Sequence, residues 1–82
     1  MSFKINYSMN SGNFLEIMLI GEVDIYTSSE LKNKINELIE EKNKNIIING
    51  EQLDYIDSTG LGVLMSIYKK LQDKNLNIKV VN

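Results

Sequence analysis

The sequence predicts an α/β domain of element order β-β-α-β-α-β, with helices packed on a mixed, mostly parallel sheet. Three observations carry this expectation. Apolar residues recur with a period of two near the N-terminus, with a helical period in two later stretches, and as short β-branched runs beside them. Turn formers separate the first two strand-like runs closely enough for an antiparallel hairpin. Each later strand follows a helix, which is the connection that parallel pairing with right-handed crossovers requires.

Phe3, Ile5 and Tyr7 alternate with Lys4, Asn6 and Ser8, the signature of a half-buried strand. Asn10-Ser11-Gly12-Asn13 are all turn formers, and Gly12 is free to adopt positive φ. From Phe14 to Ile20 the chain is apolar except for Glu16, so the second strand is expected to be largely buried. Thr27-Ser28-Ser29-Glu30 has the spacing of a capping box. Leu31, Ile35, Leu38 and Ile39 then fall on one face of a helix, which ends at Lys42-Asn43-Lys44-Asn45 with cations near the negative end of its dipole. Ile46-Ile47-Ile48 reads as a buried parallel strand. Leu61, Leu64, Met65, Tyr68 and Leu71 share the stripe of a second helix, away from Lys69, Lys70 and Asp73, and Asn77 to Val81 forms a last strand. Asn is over-represented and Ala is absent, for which composition alone supplies no reason.

The 82 residues are expected to form one domain over 1–82. A chain of this length buries only roughly 60% of its unfolded surface, yet 43% hydrophobic and 24% charged residues is an ordinary globular balance. There is no Cys, hence no disulfide, thiolate nucleophile or Cys-ligated zinc. There is no His, which removes the usual general base and the commonest metal ligand. Arg is also missing and the net charge is −2, which argues against a nucleic-acid partner. No apolar run approaches the roughly 18 residues of a membrane span, and MSFKINYS lacks the apolar core of a signal peptide. These features lead to the expectation of a soluble, cytoplasmic domain without catalytic residues, metal, cofactor, nucleic-acid partner or membrane partner.

The stretch NGEQLDYIDSTGLG, Asn49 to Gly62, joins the Ile46–Ile48 strand to the second helix. It therefore lies at the carboxyl end of a parallel strand, where ligands and partners meet open α/β sheets. Asp57 or Ser58 is placed to N-cap the helix, and Gly60 and Gly62 leave its first turn bare for close approach. An ordinary cap followed by tight packing on a strand explains the same residues. However, each glycine costs about 1 kcal/mol against Ala in a helix, which points to a compensating role. A P-loop is excluded because no Lys follows either glycine, and a serine hydrolase because Ser58 has no His. Glu22, Asp24, Asp54 and Asp57 leave a carboxylate magnesium site conceivable.

Gly21-Glu22-Val23-Asp24, the helix after Thr27 and, above all, Tyr55-Ile56-Asp57-Ser58-Thr59-Gly60-Leu61-Gly62-Val63-Leu64 resemble the anti-sigma-factor antagonist family, the STAS domains of bacterial partner-switching systems. The resemblance runs from about Phe3 to Val81 and implies a STAS-type fold. It also implies a regulator in place of an enzyme. The unphosphorylated antagonist binds an anti-sigma factor that is itself a serine kinase and so releases the sigma factor. Phosphorylation of the serine after the motif aspartate blocks that binding, and a phosphatase resets it. Carried onto this chain, the phosphoacceptor is Ser58, with Thr59 the other hydroxyl at hand. The partner-binding set is Asp24, Asp57, Ser58, Thr59, Gly60, Leu61 and Gly62. STAS domains of stress-sensing assemblies, lipid-transport complexes and anion transporters, which need no such phosphorylation, are the alternative within the fold. A weak nucleotide-binding domain using the Gly60/Gly62 turn is the alternative outside it. Family members continue past the last strand with a C-terminal helix that this chain lacks, so an apolar surface among Ile17, Leu19, Ile78 and Val80 is expected to be open and to favour a homodimer or a swapped arrangement.

Overall fold

Strand β1 (Phe3–Met9) and strand β2 (Leu15–Val23) form the expected antiparallel hairpin, in a register that sets Phe3 opposite Gly21 and Met9 opposite Leu15. The computed structural model describes residues 3–10 and 12–81. Ser11, expected in the hairpin turn, lies outside the described residues. The turn is closed by the Asn10 side chain, whose Oδ1 accepts from the N–H groups of Gly12 (2.9 Å) and Phe14 (3.0 Å). Asn13 supplies the left-handed step at φ 65°.

Helix α1 (Ser28–Lys42) leads to strand β3 (Ile46–Ile56), and helix α2 (Ser58–Asp73) leads to strand β4 (Ile78–Val81). The sheet runs β1-β2-β3-β4, antiparallel between β1 and β2 and parallel thereafter, as the sequence predicts. Two successive crossovers in one direction place both helices on the same face when each is right-handed. The core accordingly lies between that face and the helices: Leu15, Ile17, Leu19 and Val23 of β2, Ile46 and Ile48 of β3, Leu31, Ile35, Leu38 and Ile39 of α1, and Ile67 and Leu71 of α2. The alternate β2 residues Glu16, Met18, Ile20 and Glu22 are only half-buried on the other face.

The structure corrects the sequence reading in four places. Strand β3 extends well beyond Ile48 to Ile56, so most of the NGEQLDYI stretch is sheet where a connecting loop was expected. It pairs with β2 through two register shifts, one between Met18 and Ile20 and one between Gly21 and Glu22. The first is braced by Asn49, whose Oδ1 accepts from the Glu51 N–H and whose Nδ2 donates to Glu16, both at 2.9 Å. Such bulges break the alternation by which a strand is recognised. Gly21, at φ 99°, supplies a backbone conformation at the second shift that other residues resist.

Second, the buried residues of α2 are Gly60, Ile67 and Leu71, with Val63 and Leu64 half-buried. Leu61, Met65 and Tyr68 are 52%, 66% and 44% exposed. The helix thus buries a stripe displaced from the one expected, with Leu64 and Leu71 common to both. Third, the capping box at Thr27 does not form. The Thr27 hydroxyl donates back to the Glu22 carbonyl (2.9 Å) and accepts from the Asp24 N–H (3.0 Å), leaving no side-chain cap on α1. Fourth, Ile17 and Leu19 are fully buried under the helices. Of the expected patch, Ile78 and Val80 line an open groove of about 250 Å³ between α2 and β4, together with Leu64, Met65 and Tyr68.

The asparagines now have a use. Asn13, Asn43 and Asn75 hold the left-handed positions (φ 65°, 53° and 59°), and Asn43 terminates α1 by donating its N–H to the Ile39 carbonyl. The Oδ1 of Asn45 accepts from the Asn77 N–H at 2.9 Å, which aligns the start of β4 with β3. Among non-glycine residues, Asn is one of the few that tolerate left-handed backbone at little cost.

Candidate functional site

The carboxyl ends of the two central strands are joined directly. Val23 pairs with Ile56, and the Asp57 N–H donates to the Val23 carbonyl at 3.1 Å. The β2–α1 turn and the start of α2 therefore stand side by side, and the expected site residues fall on this rim.

Asp57 is the N-cap of α2, in extended backbone (φ −99°, ψ −175°), and its Oδ1 accepts from the Gly60 N–H at 3.0 Å. The Leu61 N–H closes the first turn on the Asp57 carbonyl at 3.0 Å. Of the two cap candidates the aspartate is the one used, which leaves Ser58 as the first helical residue with its side chain free of that duty. Ser58 and Thr59 are both exposed. Their N–H groups are among the first-turn donors that have no partner within a helix, so an anion on the Ser58 hydroxyl is set beside unsatisfied donors and the positive end of the dipole.

Gly60 and Gly62 differ sharply. A Cβ on Gly60 would sit 2.7 Å from both Val23 Cγ1 and Ile56 Cγ1. Gly60 is buried and seats α2 on the sheet, so it supports the site from beneath and offers no partner contact. A Cβ on Gly62 would meet nothing within 4 Å, and the residue lies exposed. Neither glycine has positive φ, so only Gly60 is required by the monomer.

Asp24 is half-buried and braces the β2–α1 turn. Its Oδ1 accepts from the N–H groups of Tyr26 (2.9 Å) and Thr27 (3.1 Å), and its carbonyl accepts from the Ser28 N–H at 2.8 Å. Asp54 is exposed and Glu22 half-buried. Among the described residues no cluster of three or more acidic side chains is gathered closely enough to hold a metal ion, so Glu22, Asp24, Asp54 and Asp57 do not converge. Sequence reasoning passed over the exposed apolar members of the rim, Ile25, Tyr26, Tyr55 and Met65. Ile25 and Tyr26 stand between the Gly21–Asp24 motif and the helix start at Thr27, and that position was the available signal.

The STAS domain family model matches residues 8–82. The chain belongs to the STAS domain family. An anti-sigma-B factor antagonist of Staphylococcus aureus is 37% identical over 67 residues, covering 79% of this chain and 62% of that protein. The Staphylococcus epidermidis protein of the same name is 37% identical over 68 residues. This STAS domain thus spans a little over three-fifths of the length of the curated relatives it matches. The anti-sigma factor antagonist SpoIIAA, solved in its unphosphorylated form, superposes with a TM-score of 0.78 at 25% identity, over 96% of this chain and 73% of SpoIIAA. An anti-sigma factor antagonist from Mycobacterium paratuberculosis reaches a TM-score of 0.85 at 22% identity, over 96% of this chain and 66% of its own, a likeness of fold. The STAS fold predicted from the sequence is the fold observed.

Proposed function

We propose that this STAS domain is an anti-sigma factor antagonist switched by phosphorylation of Ser58. Unphosphorylated, it binds an anti-sigma factor with serine kinase activity and frees the sigma factor. The phosphorylated form is refused, and a phosphatase restores it. The proposal places the chain in the cytoplasm with its partner, and among the described residues no helix is long and apolar enough to cross a membrane. One observation carries the reading: Ser58 is an exposed hydroxyl at the first residue of α2, with the capping role already filled by Asp57.

Phosphorylation adds roughly −1.5 to −2 charges at pH 7. At a helix start the domain itself tolerates that charge, so the fold changes little. The partner meets a bulky dianion beside Asp57 and must bury it. Weakening a complex from nM to μM takes about 4 kcal/mol, which one desolvated, unmatched charge supplies.

Incubation with ATP and the purified serine-kinase anti-sigma factors of its own genome is expected to add one phosphate to the intact mass, lost in Ser58→Ala. Ser58→Asp is expected to keep the wild-type circular dichroism and bind the partner about a thousandfold more weakly. No mass gain, or a gain that survives in Ser58→Ala, refutes the assignment and in the latter case transfers it to Thr59. The proposed homodimer has its place at the groove beside β4, and a strictly monomeric mass by light scattering at high concentration rejects it.

A further inference from the structure

The β2–α1 turn exposes more apolar surface than the fold has use for. Ile25 is 60% and Tyr26 82% exposed, and neither belongs to the core cluster or packs against it. The backbone carrying them is nevertheless held firmly, by Asp24 Oδ1 on two N–H groups and by Thr27 Oγ1 bridging Glu22 and Asp24. A loose loop could fold two such side chains away from water; this one fixes them outward. Rigidly presented aromatic side chains are what binding anchors are made of, because little entropy remains to be lost on docking.

The turn also adjoins Ser58. The Asp57 N–H is bonded to the Val23 carbonyl, one residue before Asp24 on one side and one before Ser58 on the other. On α2, Leu61 and Met65 follow Ser58 at i+3 and i+7, on the same helical face, and both are more than half exposed. The serine is therefore flanked by outward apolar pairs from two elements.

We infer that Ile25 and Tyr26, with Leu61 and Met65, are the apolar anchors by which this domain docks on and selects its anti-sigma factor, an inference that rests on the reading of Ser58 given above. The occupant is argued from that continuity: the anchors share a rim with the proposed phosphoacceptor, and the curated relatives are antagonists of an anti-sigma factor. The arrangement also explains how one phosphate can act as a switch. Apolar contacts on both sides of Ser58 exclude water from it in the complex, and a dianion stripped of water is tolerated far less than one at a wet rim.

The test uses the purified serine-kinase anti-sigma factors of the chain's own genome and the anti-sigma-B factor of Staphylococcus aureus as probes, with affinity measured by calorimetry. Ile25→Ser, Tyr26→Ser and their combination leave the core untouched, and equal melting temperatures verify this. The double variant is expected to bind at least about thirtyfold more weakly than wild type, with Ser58 still phosphorylated in the intact mass at high kinase concentration. Met9→Ser, also exposed but on β1 at the opposite end of the sheet, is expected to bind as wild type does. If wild type binds, Ser58→Asp abolishes binding and the double variant binds normally, this inference fails while the Ser58 reading stands. If wild type binds none of the probes, the Ser58 reading fails and the inference with it.

Discussion

Gly60→Ala adds one methyl group where α2 packs tightly on the sheet. The new Cβ would stand 2.7 Å from Val23 Cγ1, 2.7 Å from Ile56 Cγ1 and 3.1 Å from Ile56 Cδ1, where carbon atoms prefer about 3.5–4.0 Å. Both neighbours are β-branched and stiff at χ1, so neither swings aside freely. Val23 is fully buried, and its carbonyl holds the Asp57 N–H at 3.1 Å, so α2 cannot back away without straining the bond that aligns its own cap. Overpacking of this kind costs about 1–3 kcal/mol, and alanine returns about 1 kcal/mol of helix propensity. With clashes on two sides the upper part of the range applies, for a net loss of about 2 kcal/mol. For a domain this small that lowers the melting temperature by about 10 °C. The chain has no Trp, so urea unfolding is followed by far-ultraviolet circular dichroism at constant m-value. Gly62→Ala is the internal reference. Nothing lies within 4 Å of its Cβ, so it is expected to gain about 0.5–1 kcal/mol while weakening the partner complex. A Gly60→Ala variant as stable as wild type would refute the packing argument.

Two further outcomes follow from the same contacts. Asp57→Ala removes the acceptor for the Gly60 N–H and is expected to lower unfolding free energy by about 1 kcal/mol, whereas Asp57→Ser, which keeps a capping oxygen, loses much less; equal losses would rule out the cap. Glu40 of α1 receives Lys70 of α2 at 3.0 Å and Lys74, the residue that caps the end of α2, at 3.7 Å. The hydrogen bond from Lys70, then the charges of Lys74 and Lys70, hold its carboxyl below the ordinary 4.5. A carboxylate lowered in this way contributes stability above its unfolded value and loses it as pH falls through the folded one. The small melting-temperature advantage of wild type over Glu40→Gln at pH 7 is therefore expected to close in acid and in high salt, and an advantage that ignores pH would contradict the pairing.

The element order, the hairpin, the α1 stripe and the Ser58 rim were legible because each rests on local pattern or on a specific motif. What was lost had physical causes. The β3 continuation past Ile48 reads as a loop because Asn49, Gly50, Glu51 and Gln52 are polar or turn-forming and the bulges cancel alternation. The orientation of α2 was misread because the helix carries two apolar stripes: Val63, Leu64, Ile67 and Leu71 turned towards the core, and Leu61, Met65 and Tyr68 turned out. Periodicity cannot distinguish a buried apolar stripe from an exposed one, and Gly60, which seats the helix on the sheet, has no side chain to register. The capping box failed because the Thr27 hydroxyl found better partners behind it, at Glu22 and Asp24, than ahead of it.

Asn49-Gly50 is the dipeptide at which asparagine side chains ordinarily cyclise onto the next amide nitrogen and lose ammonia. Here both ends of that side chain are tied, Oδ1 to the Glu51 N–H and Nδ2 to Glu16, in a nearly buried position. The amide therefore ages only during moments when the centre of the sheet comes apart. A sample's gain of one mass unit at this residue, followed over weeks, records how often that opening occurs.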